Sequence, residues 1–165
     1  MTAVVLHLSD IHIKTPKDPI LGRGKDIASC VFTALPSASH VFIVVSGDVA
    51  YSGEASQYSL AIPFFNEIRG AIQRETACPV SFVMTPGNHD CDFKKNTGTR
   101  KILVANLEGQ STPEIDDSVL ETCTAIQSDF FDFRAAIENR ENTLDDRLWR
   151  VSRFEVEHKA LEFDC

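Results

Sequence analysis

The sequence lacks the features of a membrane-spanning protein and of a secreted disulfide-rich protein. No apolar run approaches the ~18 residues that cross a bilayer. The N-terminal stretch MTAVVLHLSDIHIK has no basic segment ahead of its short apolar run, which predicts a strand and not a signal peptide. The five cysteines include no CxxC pair and are odd in number, which indicates free thiols in a reducing compartment. We therefore expect a cytoplasmic protein without a membrane partner.

Basic residues are also scarce. The 165 residues include 16 Lys and Arg against 24 Asp and Glu, so the net charge is -8 and the pI is about 5.0. Proteins that bind nucleic acid need clustered Lys and Arg, so this balance makes nucleic acid the less favoured partner. A small phosphorylated substrate stays compatible with the charge, because a bound cation can reverse the local sign. The length and the 43% hydrophobic fraction predict a single domain over residues 1–165.

Strands and helices are predicted to alternate in the first half of the chain. Apolar, β-branched runs predict strands over residues 3–8, 41–45 and 80–84, and helical spacing predicts helices over 26–35 and 54–74. Pro63 is expected to kink or divide the second helix. His40, just ahead of a strand, is expected at the surface. The alternation is typical of an α/β fold with a parallel sheet.

The second half of the chain begins with a polar segment. Residues 94–112 predict a mobile loop, and residues 113–139 then show the apolar repeat of a helix. Alternating residues over 149–157 and 160–165 predict a β-hairpin that turns near His158.

Polar clusters follow all three predicted strands of the first half. They are SDIH at 9–12, GD at 47–48 and GNHD at 87–90. In a parallel sheet the three clusters fall at one edge, where open α/β sheets bind their ligands. Each cluster alone is also compatible with an ordinary turn, but three in equivalent positions favour a common site.

The residue types in these clusters indicate metal binding. Asp10 and His12 are alternate residues, so both side chains can face one site near a strand end. Gly47 lets the backbone turn tightly and present Asp48, and Asn88 adds an amide oxygen. Mixed carboxylate and imidazole ligands suit Mn, Fe or Zn. Two such ions ~3.5–4 Å apart can activate a bridging water and clamp a phosphoryl oxygen.

The motifs LSDIH, SGDVAYSG and TPGNHD resemble the first three motif blocks of the calcineurin-like metallophosphoesterase family. The resemblance implies a layered α/β/β/α sandwich, incomplete here at its C-terminus. It also implies a phosphoric ester hydrolase that uses two divalent or trivalent metal ions and a metal-bridging hydroxide. The stretch SGDVAYSGEASQY is similar to the cyclic-nucleotide-phosphodiesterase-like bacterial branch, which favours a phosphodiester substrate and makes a nucleotide a candidate.

The resemblance also implies individual roles for six residues. The metal positions are Asp10 and His12 for the first ion, Asp48 as the bridge and Asn88 for the second ion. Asn88 would also touch the substrate phosphate, and His89 would stand near the leaving oxygen as a general acid or charge stabiliser. Asp90 would orient the His89 ring.

The chain departs from the family pattern in its histidines. The family completes its site with later histidines, including a Gly-His-x-His block. The five histidines here are His7, His12, His40, His89 and His158. We therefore expect this chain to be the N-terminal part of a longer enzyme, to bind fewer than two ions tightly, and to be weakly active or inactive alone.

Two kinds of alternative remain open from the sequence. A missing C-terminal segment or a partner chain would have to complete the site. A nuclease of the same family and a catalytically incomplete binding or scaffold domain are the other functions to weigh. Retention of Asp10, Asp48 and Asn88 favours the enzyme over the scaffold.

Overall fold

The computed structural model describes residues 2–109, 115–148 and 150–164. These residues form an α/β fold of five strands and five α-helices joined by loops and short 3₁₀ helices. The strands are β1 (Ala3–Leu8), β2 (His40–Ser46), β3 (Val80–Thr85), β4 (Val151–Val156) and β5 (Lys159–Asp164). The helices are α1 (Gly24–Ser29), α2 (Ala55–Glu75), α3 (Gly98–Glu108), α4 (Asp117–Thr124) and α5 (Ser128–Glu138). Within the described residues, none of the helices combines the length and the apolar character of a membrane span.

The first three strands form a parallel sheet with β2 in the centre. The register pairs Ala3 with His40 and Val41 with Val80, so the three strands start at one edge and end at the opposite edge. Five of the seven residues of β2, from Val41 to Val45, form an apolar run of which four members are fully buried. The carboxyl ends of the strands lie together, and the three polar clusters therefore share one edge as predicted.

Helices α2 and α5 cover one face of this sheet. Phe65 and Ile68 of α2 are fully buried, and Phe65 contacts Phe133 of α5 with ring centroids 5.7 Å apart. Burying a side chain of this size stabilises the fold by about 1.5–3 kcal/mol relative to leaving it exposed. This layer fixes the sheet whose carboxyl edge holds the polar clusters.

The β4–β5 hairpin covers the opposite face. Phe42 of β2 is buried there, with its ring centroid 4.9 Å from those of Phe154 and Phe163. Glu157 and His158 at the hairpin turn both have positive φ, the backbone of a two-residue primed turn. The hairpin and its turn are confirmed, although residues 149 and 165 of the prediction lie outside the described part. Helices, parallel sheet and hairpin form three successive layers, in agreement with the expected sandwich.

The predicted loop at 94–112 contains a helix. Helix α3 fills Gly98–Glu108, and the Thr97 side chain caps its start by accepting a hydrogen bond from the Arg100 amide at 3.2 Å. The secondary-structure prediction was wrong because the polar residues that suggested a loop lie on a helix with little buried surface. Mobility of this segment stays a prediction, and residues 110–112 lie outside the described part.

Two helix predictions need correction. Helix α2 runs from Ala55 to Glu75 without division at Pro63, which lies on its exposed side, and a kink at this residue stays a prediction. The predicted helix at 113–139, of which residues 113 and 114 lie outside the described part, is instead divided into α4 and α5 by a 3₁₀ turn at Ala125–Gln127. At this turn the Ile126 carbonyl accepts a hydrogen bond from the Asp92 amide at 2.6 Å. The break therefore docks the helical region onto the segment that follows the third polar cluster.

His40 is buried and not at the surface as predicted. Its side chain stacks on Phe42 with centroids 4.2 Å apart, its Nε2 lies 2.9 Å from Ser81 Oγ, and 6% of the residue is exposed. Burial lowers the pKa of His40 below its ordinary value of 6.5. The unfolded chain therefore binds this proton more readily than the folded chain. The contribution of the neutral His40 ring to the free energy of unfolding is fully present above the ordinary pKa of 6.5. It is lost as the pH falls through the lower pKa that this ring has in the folded chain.

We expect the free energy of unfolding in urea to decrease as the pH is lowered from about 7 to about 5.5, and His40→Gln to remove part of that decrease. The matched control is His158→Gln, because the His158 side chain is 99% exposed. This control should keep the wild-type pH dependence. Parallel pH profiles for wild type and His40→Gln would show that burial of this ring is not the cause.

Candidate metal centre

Backbone hydrogen bonds hold the first two polar clusters side by side. The Asp10 amide donates to the Gly47 carbonyl at 3.3 Å, and the His12 amide donates to the Asp48 carbonyl at 2.9 Å. The pairing continues with the Ile13 amide and the Val49 carbonyl at 2.9 Å. The loops after β1 and β2 therefore run together, and their side chains are presented in a fixed relation.

Three site residues have a left-handed backbone. Asp10, His12 and Asp48 have φ values of 54°, 53° and 55°. Such a conformation is uncommon outside glycine, although Asp and His tolerate it better than most residues. Each instance costs on the order of 1–3 kcal/mol and is typical of functional sites. The concentration of three in two adjoining loops favours a site over ordinary turns.

Glycines bring the third cluster against the second. A Cβ atom at Gly87 would lie 2.2 Å from Asp48 Oδ1 and 2.6 Å from the Asp48 amide nitrogen. A Cβ atom at Gly47, where φ is 99°, would lie 2.7 Å from the Gly87 backbone. Only glycine fits at both positions without displacement of the backbone, which explains why each motif carries one.

Three potential ligand side chains converge at this edge. One ligand atom each of His12, Asp48 and His89 lies within 4.8 Å of the others, and all three residues are half-buried. The two imidazole rings meet edge to face, 4.5 Å apart. Asp10 lies beside them, with Oδ1 3.8 Å from His12 Nε2, and its side chain is 70% exposed. The predicted convergence of the first and second clusters is therefore present, and His89 joins it.

The residues present fit a metal ion. His12 Nδ1 is buried and has no hydrogen-bond partner among the described residues. Buried polar atoms are almost always satisfied, and coordination of a cation by Nδ1 itself would account for the exception. Imidazole and carboxylate donors together suit Mn, Fe or Zn.

The His89 ring is held by a residue that the sequence did not single out. Its Nδ1 lies 2.7 Å from the Tyr51 carbonyl oxygen, and its backbone amide donates to Asp48 Oδ1 at 2.8 Å. Tyr51 lies within the motif SGDVAYSG, three residues after Asp48. This position was the one feature of the sequence that could have indicated a part for Tyr51 in the site. The Tyr51 carbonyl thus makes the contact with the His89 ring that was predicted for Asp90.

Asp90 is instead a buried anchor for the loops. It is fully buried, and its carboxylate accepts four hydrogen bonds. The donors are the amides of Val49 at 3.3 Å, Ala50 at 2.9 Å and Gly87 at 3.0 Å, and the Tyr58 hydroxyl at 2.8 Å. Burial raises the pKa of the Tyr58 phenol far above its ordinary value, so this group stays a donor. Asp90 therefore ties the second and third clusters to α2, and the predicted contact with the His89 ring is corrected.

A pocket of about 370 Å³ adjoins His89. Asn88, predicted as a metal ligand, is exposed and lines this pocket beside His89. Two aromatic side chains also line it, Tyr51 at 45% exposure and Phe93 at 65% exposure. Across the rim, the Lys94 ammonium lies 2.9 Å from the Glu54 carboxylate and lowers its pKa. The pocket offers an aromatic surface next to the candidate centre.

Comparison with family models matches residues 3–161 to the calcineurin-like phosphoesterase family. Comparisons with curated proteins and with solved structures found no significant match. The matched range includes all three polar clusters and the hairpin as far as Leu161, and His12, Asp48 and His89 form a cluster that could hold a metal ion. The chain therefore belongs to the calcineurin-like phosphoesterase family, whose members are metal-dependent phosphoester hydrolases.

Proposed function

We propose that this chain provides the metal centre and the general acid of a phosphodiesterase with two metal ions. The observation that carries the proposal is the convergence of His12, Asp48 and His89 at the carboxyl edge of the sheet, within 4.8 Å of one another. The left-handed backbone of His12 and Asp48 supports it, because strain of this kind is retained where function requires it.

Four residues are proposed to hold the ions. They are Asp10, His12, Asp48 and Asn88. Bound Mn, Fe or Zn ions supply positive charge to the phosphoryl oxygens and lower the pKa of a coordinated water. The backbone pairing of the first two loops keeps Asp10, His12 and Asp48 in place before an ion arrives, which reduces the ordering that binding requires.

His89 is proposed as the group that assists the leaving oxygen. A carbonyl oxygen only accepts, so the contact of Nδ1 with the Tyr51 carbonyl fixes the proton of a neutral His89 ring on Nδ1. Nε2 is then the nitrogen that gains a proton when the ring is charged and can pass it to a leaving alkoxide. The hydrogen bonds to Tyr51 and Asp48 hold the ring and its backbone in position for this transfer.

The pocket beside His89 supports a diester over a monoester. A phosphodiester carries a second organic group, and Tyr51 and Phe93 provide an exposed aromatic surface for it. A nucleotide fits this description. A nuclease of the same family is the alternative, and the net charge of -8 counts against extended phosphate contacts.

The proposal is tested with metal-free protein to which Mn²⁺, Fe²⁺ or Zn²⁺ is added. We expect slow, metal-dependent hydrolysis of bis(4-nitrophenyl) phosphate that exceeds hydrolysis of 4-nitrophenyl phosphate, followed by nitrophenolate absorbance. His12→Ala should abolish the hydrolysis, because it removes a ligand. His158→Ala is the matched control, since this ring is exposed on the hairpin turn, and it should leave the rate unchanged.

The outcomes separate the alternatives. Faster hydrolysis of the monoester would overturn the diester assignment. Tight metal uptake without hydrolysis of either ester would retain the metal centre and overturn hydrolysis by this chain alone. Absence of metal uptake by calorimetry would refute the centre itself.

A further inference from the structure

A second pocket lies at the opposite edge of the sheet from the candidate metal centre. It has a volume of about 200 Å³ and lies between the first residues of β3, the end of α5 and the start of β4. Val80 lines it, whereas the polar cluster follows Thr85 at the other end of the same strand. The two ends of β3 are about 17 Å apart at the usual rise of an extended strand. The pocket is therefore separate from the proposed phosphodiesterase site.

Four arginines line this pocket, and we call it the arginine pocket. They are Arg69, Arg140, Arg150 and Arg153. Among the described residues, Glu138 is the acidic side chain of the lining and Glu162 pairs with Arg153 at its rim, so four positive charges face two negative ones. This excess stands out in a chain of net charge -8. Like charges held together repel one another, and an anion between them would relieve that repulsion.

The guanidinium of Arg150 is unusually placed for a surface cleft. Its side chain is 3% exposed; Nη1 donates to Asn142 Oδ1 at 3.1 Å, and Nη2 bonds the Glu138 carboxylate. Its Nε is buried and has no hydrogen-bond partner among the described residues. A buried donor without an acceptor is costly, so the Arg150 guanidinium is incompletely satisfied by Asn142 and Glu138.

The other arginines are positioned by contacts that leave donors unused. Arg69 donates to the Ile137 carbonyl at 2.8 Å and lies over the Phe82 ring at 5.3 Å. Arg153 Nε contacts Glu162 at 3.1 Å, and its side chain is 73% exposed. Each guanidinium has five N–H donors in a planar fork that matches a carboxylate or phosphate group. Arg69 and Arg150 are thus oriented cations, whereas Arg140 and Arg153 lie exposed at the rim of the pocket.

From this arrangement we infer that the arginine pocket binds a phosphate group. Glu138 already provides one carboxylate for Arg150, and the remaining excess of positive charge calls for a ligand with more than one negative charge. A phosphate dianion has that charge and presents several oxygens to different arginines at once. A phosphate group is also small enough for the arginine pocket, whose volume is about 200 Å³. Free phosphate and the phosphate of a small monoester share this chemistry.

The inference is tested by titration of the metal-free chain with inorganic phosphate in the presence of EDTA, followed by calorimetry. We expect saturable binding to one site, and the double variant Arg140→Gln/Arg153→Gln to weaken it at least about ten-fold. Both side chains are exposed at the rim, so the fold should survive, as circular dichroism would check. A parallel titration with phenyl phosphate distinguishes the two sources, because a monoester ligand would bind more tightly than free phosphate.

A matched double variant controls for overall charge. Arg23→Gln/Arg74→Gln removes two charges outside the pocket and should change the affinity by no more than roughly two-fold. Asp48→Asn should bind phosphate as the wild type does, since the metal centre is not involved. Absence of saturable binding, equal weakening by both double variants, or loss of binding in Asp48→Asn would each overturn the inference.

Discussion

Replacing Asp48 by asparagine is expected to lower the affinity for Mn²⁺ by about 100-fold or more, beyond the 10–100-fold typical of changes to groups that only support a ligand. The amide removes a negative charge from the proposed bridge between two ions. It keeps Oδ1, which accepts the His89 amide hydrogen bond at 2.8 Å, so the loop geometry should survive. Calorimetric titration of the metal-free protein measures the affinity and the number of ions bound.

The control for this change is Asp26→Asn. Asp26 is an exposed carboxylate in the first turn of α1, paired with Arg23. Its replacement also removes one negative charge, but at a position outside the candidate metal centre. Mn²⁺ affinity should stay close to the wild-type value. If Asp48→Asn bound Mn²⁺ as tightly as Asp26→Asn, Asp48 would not be a ligand. Metal-dependent hydrolysis of the aryl phosphodiester should fall in parallel with binding.

The position of the site at the carboxyl edge of the sheet could be predicted because it depends on local sequence. Apolar runs at 3–8, 41–45 and 80–84 identify strands, and parallel pairing then places every strand end at the same edge. The residue types that follow each run are enough to indicate metal chemistry. The same reasoning succeeded for the hairpin, where alternation and a two-residue turn leave few other structures.

The properties that the sequence did not reveal depend on contacts between distant residues. His40 reads as a polar residue at the start of a strand, and its burial results from stacking with Phe42 and Phe154 of the hairpin. The orientation of His89 by Tyr51 involves a backbone carbonyl, which any residue possesses, so no side-chain pattern announces it. Asp90 adjoins His89 in sequence, yet its side chain turns into the core.

Asp90→Ala is expected to lower the free energy of unfolding by about 3–5 kcal/mol, the range for removal of one partner from a buried charged network. The change leaves the amides of Val49, Ala50 and Gly87 without their acceptor in a fully buried position. Urea unfolding monitored by circular dichroism measures the loss. Asp132→Ala, which removes an exposed carboxylate from α5, should change stability by no more than roughly 0.5 kcal/mol.

A double-mutant cycle with Tyr58→Phe separates anchoring from catalysis. Tyr58→Phe alone should cost about 1.5–3 kcal/mol, as expected for a hydrogen bond to a charged group, and the cost of the double variant should be less than additive because the two residues share one bond at 2.8 Å. The sequence resemblance instead assigned Asp90 to the orientation of the His89 ring. A residue with that role would affect hydrolysis more than the stability of the fold. If Asp90→Asn kept the wild-type unfolding midpoint while hydrolysis was lost, Asp90 would act on the reaction and not on the fold. If Asp90→Asn instead lowered both the unfolding midpoint and the Mn²⁺ affinity, the carboxylate would hold the loops of Asp48 and His89 together. The geometry of the metal centre would then depend on this buried anchor.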